Sequence, residues 1–313
     1  MAATHAPAFL CKRTVPFDAP RERVEQLIRR ELQTCVIDSV TFCSNLVEVE
    51  VECPNFSQII SETEIEGIPL IETLHHSAVL PRWLHLLRGE ADLAVLHVDS
   101  HSDLGSPNLV MDSSGYVVDR WTRERVLASD LATVRRAVDS SAIEIGNYLT
   151  AALFLLPIRG VAWVHLPVDR NFSRPDPSVL GLRLEWSNSD PLDSSLRRVC
   201  AIRGGPPKDL WFVDASKPAC DRFASLHDLK VILDIDLDYF DNSAHTGHQR
   251  FGSATLDQRW DLFMDLVRRL DPARVVAISI AHSPGFCPAA VASRLSSDLV
   301  ERLTQWRRQK RKP

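Results

Sequence analysis

A chain of 313 residues, 45% hydrophobic and 25% charged, is long enough for one large α/β domain with a small appendage, and its composition excludes disordered and fibrous classes. The formal net charge of -5 gives no general attraction for nucleic acid, so no nucleic-acid partner is expected. Seven cysteines without CxxC pairs, no signal-peptide pattern and no apolar run of about 18 residues point to a reducing compartment, the cytoplasm by default, with no membrane partner.

Residues 1–66 read as a small N-terminal α/β unit and 67–313 as the main domain. In the first, Asp18 and Pro20 open a helix whose Val24, Leu27, Ile28 and Leu32 follow a 3.6 period. Two strand signals come next, Val36 to Phe42 and the alternating run Val47 to Glu52, which Pro54 ends; Asn55 to Gly67 then reads as a crossing segment. From Ile68 the chain alternates apolar runs with helical patterns, as a parallel sheet flanked by helices requires. Strands are expected at Leu93 to Val98, Gly160 to Leu166, Leu210 to Val213, Val231 to Ile235 and Val275 to Ile280. Helices are expected at Ser77 to Leu87, Ile145 to Leu156, Leu256 to Leu270 and Ala289 to Arg308. The stretches 104–140 and 167–209 are long and polar and read as walls or lids.

The segment Ala94-Val-Leu-His-Val-Asp-Ser-His-Ser-Asp103 is an apolar strand ending in potential ligands at alternate positions, Asp99, His101 and Asp103. Val231-Ile-Leu-Asp-Ile-Asp-Leu-Asp238 repeats the arrangement with Asp234, Asp236 and Asp238. Carboxylates gathered in a low-dielectric interior repel one another unless cations lie between them; the plainer reading is a set of exposed acids at a strand end. His76, preferred to His75, supplies a further ligand from the start of a helix, where a lone histidine is more often a cap or a surface residue. Mixed carboxylate and imidazole donors suit Mn²⁺, Fe²⁺ or Zn²⁺, and a carboxylate majority favours Mn²⁺.

His76, the Asp-x-His-x-Asp at 99–103 and the Asp-x-Asp at 234–236 together resemble the ureohydrolase family, arginases and agmatinases, within the arginase/deacetylase fold. The strings His97-Val-Asp-Ser-His-Ser-Asp-Leu104, Ile145-Gly-Asn-Tyr148 and Ile232-Leu-Asp-Ile-Asp-Leu-Asp-Tyr-Phe240 more narrowly resemble the uncharacterised-family-0489 proteins, which include peptide arginases of bacterial ribosomal-peptide pathways. The resemblance covers roughly residues 68 to 290. It implies a three-layer arginase/deacetylase-like fold and two Mn²⁺ ions, one held by His76, Asp99, Asp103 and Asp234, the other by His101, Asp99, Asp234 and Asp236. Asp99 and Asp234 would bridge. A water deprotonated between the ions would attack an arginine guanidinium carbon, releasing urea and leaving ornithine.

Departures from the family leave parts of the machinery open. The histidine of the arginases' Gly-Asn-x-His-Gly segment is replaced here by the run Gly146-Asn147-Tyr148-Leu149, so the general acid is unassigned. On position alone, His282 beyond the last strand is a candidate, Asp238 could orient a ligand or a guanidinium nitrogen, and Asn147 could bind substrate; the plain alternatives are a loop residue, a hydrogen-bond acceptor and a helix cap. Ala281-His-Ser-Pro-Gly-Phe286 lacks the arginases' guanidinium-binding glutamate, for which Glu144 is a positional substitute or simply a helix-start acid. A free-arginine loop is missing after Asp103, which favours an arginine-containing precursor peptide as substrate and partner. The run Val47 to Glu52 offers an edge for pairing with it, although a unit that merely covers the main core is the simpler reading. The basic end Arg307 to Lys312 is a solvated helix terminus on the simpler view. A single-zinc deacetylase of the same fold and a non-catalytic, metal-stabilised binding module are the competing classes.

Overall fold

The computed structural model describes residues 9–32, 35–53, 55–165, 179–203, 210–215, 229–244 and 254–311; Pro54, Leu166 and much of the 167–209 stretch lie outside these residues. The chain divides into two compact units. The first comprises 1–58, 103–156 and 184–202, and the second 59–102, 157–183 and 203–313.

In the first unit, β1 (Phe9–Pro16), β2 (Val36–Cys43) and β3 (Leu46–Cys53) form an antiparallel sheet in the order β1-β3-β2, and α1 spans Arg21–Glu31. Strict alternation along β3 puts Val47, Val49 and Val51 in the core and leaves Glu48, Glu50 and Glu52 on the other face. Val24, Leu27 and Ile28 are the buried stripe of α1, as their 3.6 period predicts. The reading of Val47 to Glu52 as an open edge is corrected here: β3 is the middle strand, its backbone committed to β1 on one side and β2 on the other. A strand's own side-chain pattern reports its faces and not its neighbours. The 103–156 and 184–202 stretches add β7 (Leu109–Met111), β8 (Val117–Asp119), β11 (Arg197–Arg203), α3 (Leu131–Asp139) and α4 (Tyr148–Leu155), so the first of the two long polar stretches carries two short strands and a helix.

A buried ion pair anchors this unit. Arg120 donates to Asp190, both side chains are fully buried, and Arg120 also reaches Asn108 Oδ1 at 3.1 Å while its guanidinium lies 5.4 Å from the Trp121 ring centroid. Burial first, and then the nearby Arg198 charge, pull Arg120 down to about 10 against the opposing pull of Asp190 and Glu31. Removing one partner of such a pair leaves an uncompensated buried charge. Asp190→Ala is therefore expected to cost about 3–5 kcal/mol in urea denaturation, and adding Arg120→Met to recover most of it. An unchanged midpoint for the single variant would show that the pair contributes nothing.

The second unit is built on a sheet in the order β4-β5-β14-β13-β6-β9-β12-β10, with β4 (Ile59–Ile65), β5 (Ile68–Thr73), β6 (Leu93–Val98), β9 (Ile158–Val164), β10 (Val179–Trp186), β12 (Leu210–Ala215), β13 (Lys230–Asp236) and β14 (Val275–Ala281). Every neighbouring pair from β5 to β12 is parallel, while β4 pairs antiparallel with β5 and β10 with β12. Helices flank it, so the expected α/β architecture with a parallel sheet is present. Strand β4 was not anticipated in the crossing segment; its two-residue turn into β5 uses Glu66 and Gly67, both at positive φ. The helices α5 (Leu256–Arg269) and α6 (Ala289–Arg311) fall where the periodicity places them, and α5 opens with a capping box between Thr255 and Gln258. Their apolar stripes, Trp260, Phe263 and Val267 and then Leu295, Leu299 and Leu303, pack with Leu96, Val98, Leu233, Ile235, Ile278 and Ile280 of the strands.

That packing fixes the orientation of everything else. With Leu233 and Ile235 in the helix-side core, period two sends Asp234 and Asp236 to the opposite face, and the same holds for His97 against Leu96 and Val98. Among the described residues no helix is long and apolar enough to cross a membrane.

Candidate metal centre

All the residues of this site belong to the second unit. Register brings Asp234 of β13 beside His97 of β6 on one side and Ser279 of β14 on the other, at the carboxyl ends of parallel strands, where α/β sheets open into a crevice. His76 enters from a 3-10 turn at His76–Val79 that leads into α2 (Leu80–Leu86). Its ring lies between three carboxylates: Nδ1 is 3.3 Å from Asp99 Oδ2 and 3.5 Å from Asp236 Oδ2, and Nε2 is 3.6 Å from Asp234 Oδ1. The neighbouring His75 is buried too, and burial, followed by the His76 charge, pushes it down to about 4.

Alternation ends sooner than the sequence reading assumed. β6 stops at Val98, and among the described residues Asp99 makes one backbone sheet bond, from its N–H to the Val164 carbonyl at 3.1 Å. The chain then bends, with the His101 N–H donating to Asp99 Oδ1 at 2.6 Å, and this local turn returns the His101 ring to Asp99. The residue that shares a strand face with Asp99 is therefore His97. Asp103 lies in the first unit, buried and at a positive φ of 47°, as do Glu144 and Asn147. Asn147 does not cap α4 with its side chain; its Oδ1 instead accepts the Glu144 N–H at 2.8 Å in the turn that precedes the helix. This turn sits against Gly105, where a Cβ would stand 2.7 Å from the Gly146 carbonyl oxygen, so only glycine fits.

His97 was not singled out by its sequence, because an apolar strand hides which of its residues faces a neighbour's acid. Nδ1 lies 2.9 Å from Asp234 Oδ2 and Nε2 lies 3.1 Å from the His101 carbonyl. Both nitrogens face acceptors, and Nε2 also lies 3.3 Å from Asp99 Oδ2. Two serines were also missed. Ser279 donates to Asp234 Oδ1 at 2.5 Å, and Ser283, at a positive φ of 46°, donates to Asp236 Oδ2. His282, one residue earlier, turns away: its Nε2 is 3.3 Å from Glu72 Oε2, which also accepts from Ser296 at 3.0 Å. This bond holds the Glu72 carboxyl below its usual range. Asp238 lies in the 3-10 turn Leu237–Tyr239, its Oδ2 3.0 Å from His101 Nδ1.

Four buried carboxylates thus converge, and they divide into two kinds. Burial raises both Asp99 and Asp234, but at Asp99 the His97 charge with bonds from His101 and His76 outweighs it, and at Asp234 the His76 charge and the His97 and Ser279 bonds do, so both sit low. Burial and the neighbouring negative charges of Asp238 and Asp99 drive Asp236 well above the ordinary carboxylate range, and burial with the Asp99 charge raises Asp238. The imidazoles alone do not balance four carboxylates. Divalent cations would, and the donors group accordingly into His76, His97 and Asp99, and into Asp99, His101 and Asp238.

No protein-family model and no curated protein matches the chain. Among solved structures it is similar to the proclavaminate amidino hydrolase of Streptomyces clavuligerus, with 14% identity and a TM-score of 0.35 over 76% of this chain and 63% of that one, which is less than two thirds of that protein's length.

Proposed function

We propose that the chain is a metal-dependent hydrolase of the arginase/deacetylase fold that converts peptidyl arginine to peptidyl ornithine and urea with two divalent ions, Mn²⁺ by preference. The observation that carries the reading is the placement of Asp99: its Oδ2 faces His76 and His97, its Oδ1 faces His101, so one buried carboxylate belongs to two donor groups. The ureohydrolase resemblance rests on His76, Asp99, His101, Asp234 and Asp236 of this unit, together with Asp103.

Bound ions would supply a lowered water pKa at neutral pH and a polarised substrate. The chain's own residues do the rest. Ser279 and Ser283 orient the Asp234 and Asp236 carboxylates, and the buried His97 ring faces both Asp234 and Asp99. His101 is the exposed member of the set, its side chain 30% accessible, and marks the side from which a substrate arrives. Water adds its oxygen to the guanidinium carbon, the bond from that carbon to the chain nitrogen breaks, and the nitrogen takes the proton to leave as the ornithine amine.

Incubation of Mn²⁺-loaded protein with arginine-containing peptides and with free arginine, read by mass spectrometry, is expected to show a loss of about 42 Da per arginine, in the peptides and not in the free amino acid. Loss confined to free arginine overturns the peptide reading. One tightly held zinc per chain with deacetylation of acyl-lysine peptides points to the deacetylase instead, and no reaction with any substrate leaves a metal-stabilised binding module.

A further inference from the structure

We infer that Trp163, with His165 stacked against it, forms an aromatic platform beside the metal centre that binds a planar cation, the guanidinium of the substrate. The inference rests on the proposed hydrolase reading and names the surface that would hold the group to be cleaved, for which the sequence offers no glutamate between Ala281 and Phe286.

Strand register carries the argument. Ser279 of β14, Asp234 of β13, His97 of β6 and Trp163 of β9 lie side by side in one row across four parallel strands. Period two puts Trp163 on the face that holds the metal centre, because Ala162 and Val164 on either side of it belong to the helix-side core. Ser279, Asp234 and His97 are fully buried, whereas Trp163 is half-buried, so the row opens at the indole.

The indole is fixed twice. Its Nε1–H donates to the Asp99 carbonyl at 3.0 Å, and the buried His165 ring stacks on it with centroids 4.0 Å apart and planes at 27°. Both contacts hold the ring near the carboxyl end of β9, next to the residue whose carboxylate joins both donor groups. The acids at this end of the sheet are engaged: Asp99, Asp234, Asp236 and Asp238 face the imidazoles and serines of the centre, and Glu72 is held by His282 and Ser296. An arriving cation meets instead the negative face of a π system. Guanidinium is planar and more weakly hydrated than an ammonium, so it stacks well on such a face, and a neutral urea group of the same shape gains none of that attraction.

The test uses the Mn²⁺-loaded full chain with N-acetylarginine amide and its citrulline counterpart as probes. Stopped-flow tryptophan fluorescence reads binding before turnover, urea release gives kcat and KM, and elemental analysis counts the ions. A fluorescence change is expected with the arginine probe, absent with the citrulline probe and lost in Trp163→Phe. Trp163→Leu is expected to raise KM about 10-fold, with kcat falling less than KM rises and both ions retained. Trp163→Phe, which keeps a π face but cannot donate to Asp99, is expected to recover most of that loss. His165→Leu leaves the indole and its bond in place; it is expected to raise KM about 3-fold and carries the test should Trp163→Leu fail to fold. Loss of ions or of kcat in Trp163→Phe and Trp163→Leu alike would make the indole a support for Asp99 and overturn the platform, as would a KM within about twofold of wild type in Trp163→Leu. Urea release with equal binding of both probes overturns the platform alone. Wild-type protein that distinguishes the arginine probe by fluorescence but releases no urea removes the hydrolase reading and keeps the platform, and no signal with either probe and no urea removes both.

Discussion

Asp234→Asn is expected to reduce bound Mn²⁺ from two ions per chain to less than one and to abolish hydrolysis. The side chain is fully buried, with Oδ1 on Ser279 and His76 and Oδ2 on His97, so the substitution removes a negative charge from the middle of the cluster. An amide at that position places an NH₂ against a donor on one side and leaves His97 Nδ1 without its carboxylate partner. Loss of such a buried partner is worth about 3–5 kcal/mol, which corresponds to roughly a 10³-fold weaker ion. Asp265→Asn, an exposed acid on α5, serves as the control and is expected to behave as wild type. Elemental analysis after gel filtration, with circular dichroism to confirm folding, decides the matter. Retention of two ions by Asp234→Asn would refute the ligand assignment.

Mn²⁺ is also expected to raise the melting temperature, and by more at pH 8.5 than at pH 6. Each ion at 100 times its Kd adds about 2.7 kcal/mol to a fold that binds it only when native, so two ions add roughly 5 kcal/mol, or on the order of 10 °C. The pH dependence follows from the protons that the ions must displace. Without metal, burial would lower His101, but bonds from Asp238 and Asp99 and their charges override it and push it up to about 11. Asp236 and Asp238 are raised as well, by burial and by each other's or Asp99's charge. Groups raised in the metal-free state hold protons that a metal expels, so apparent affinity climbs with pH by up to about tenfold per unit for each proton lost. Calorimetry in buffers of different ionisation enthalpy counts those protons. A melting temperature that ignores Mn²⁺, or a shift that is the same at both pH values, contradicts this picture of the cluster.

Much of the main sheet was legible locally. Leu93–Val98 is a strand as read, and α5 and α6 begin at the residues that periodicity indicated, because a half-buried helix repeats its apolar residues every three to four positions and a buried strand shows an unbroken apolar run. Strands β1, β4, β5, β7, β8, β10 and β11 escaped. Glu62, Thr63 and Glu64 in β4 are too polar to signal a strand alone, and their pairing with Glu62↔Ile71 and its neighbours is what makes one. At the site, the acids announced themselves by interrupting apolar runs, whereas His97, Ser279 and Ser283 carry no such mark.

The sequence by itself determined that acids and imidazoles stand at the ends of two apolar strands, since residue type and period two are local properties of the chain. The tertiary structure alone decided which of them meet. Parallel pairing sets Asp234 between His97 and Ser279, the bend after Val98 returns His101 to Asp99, and the turn after β13 carries Asp238 to the same point. Register and strand order depend on contacts between segments 45 to 137 residues apart, and no local window of sequence contains them.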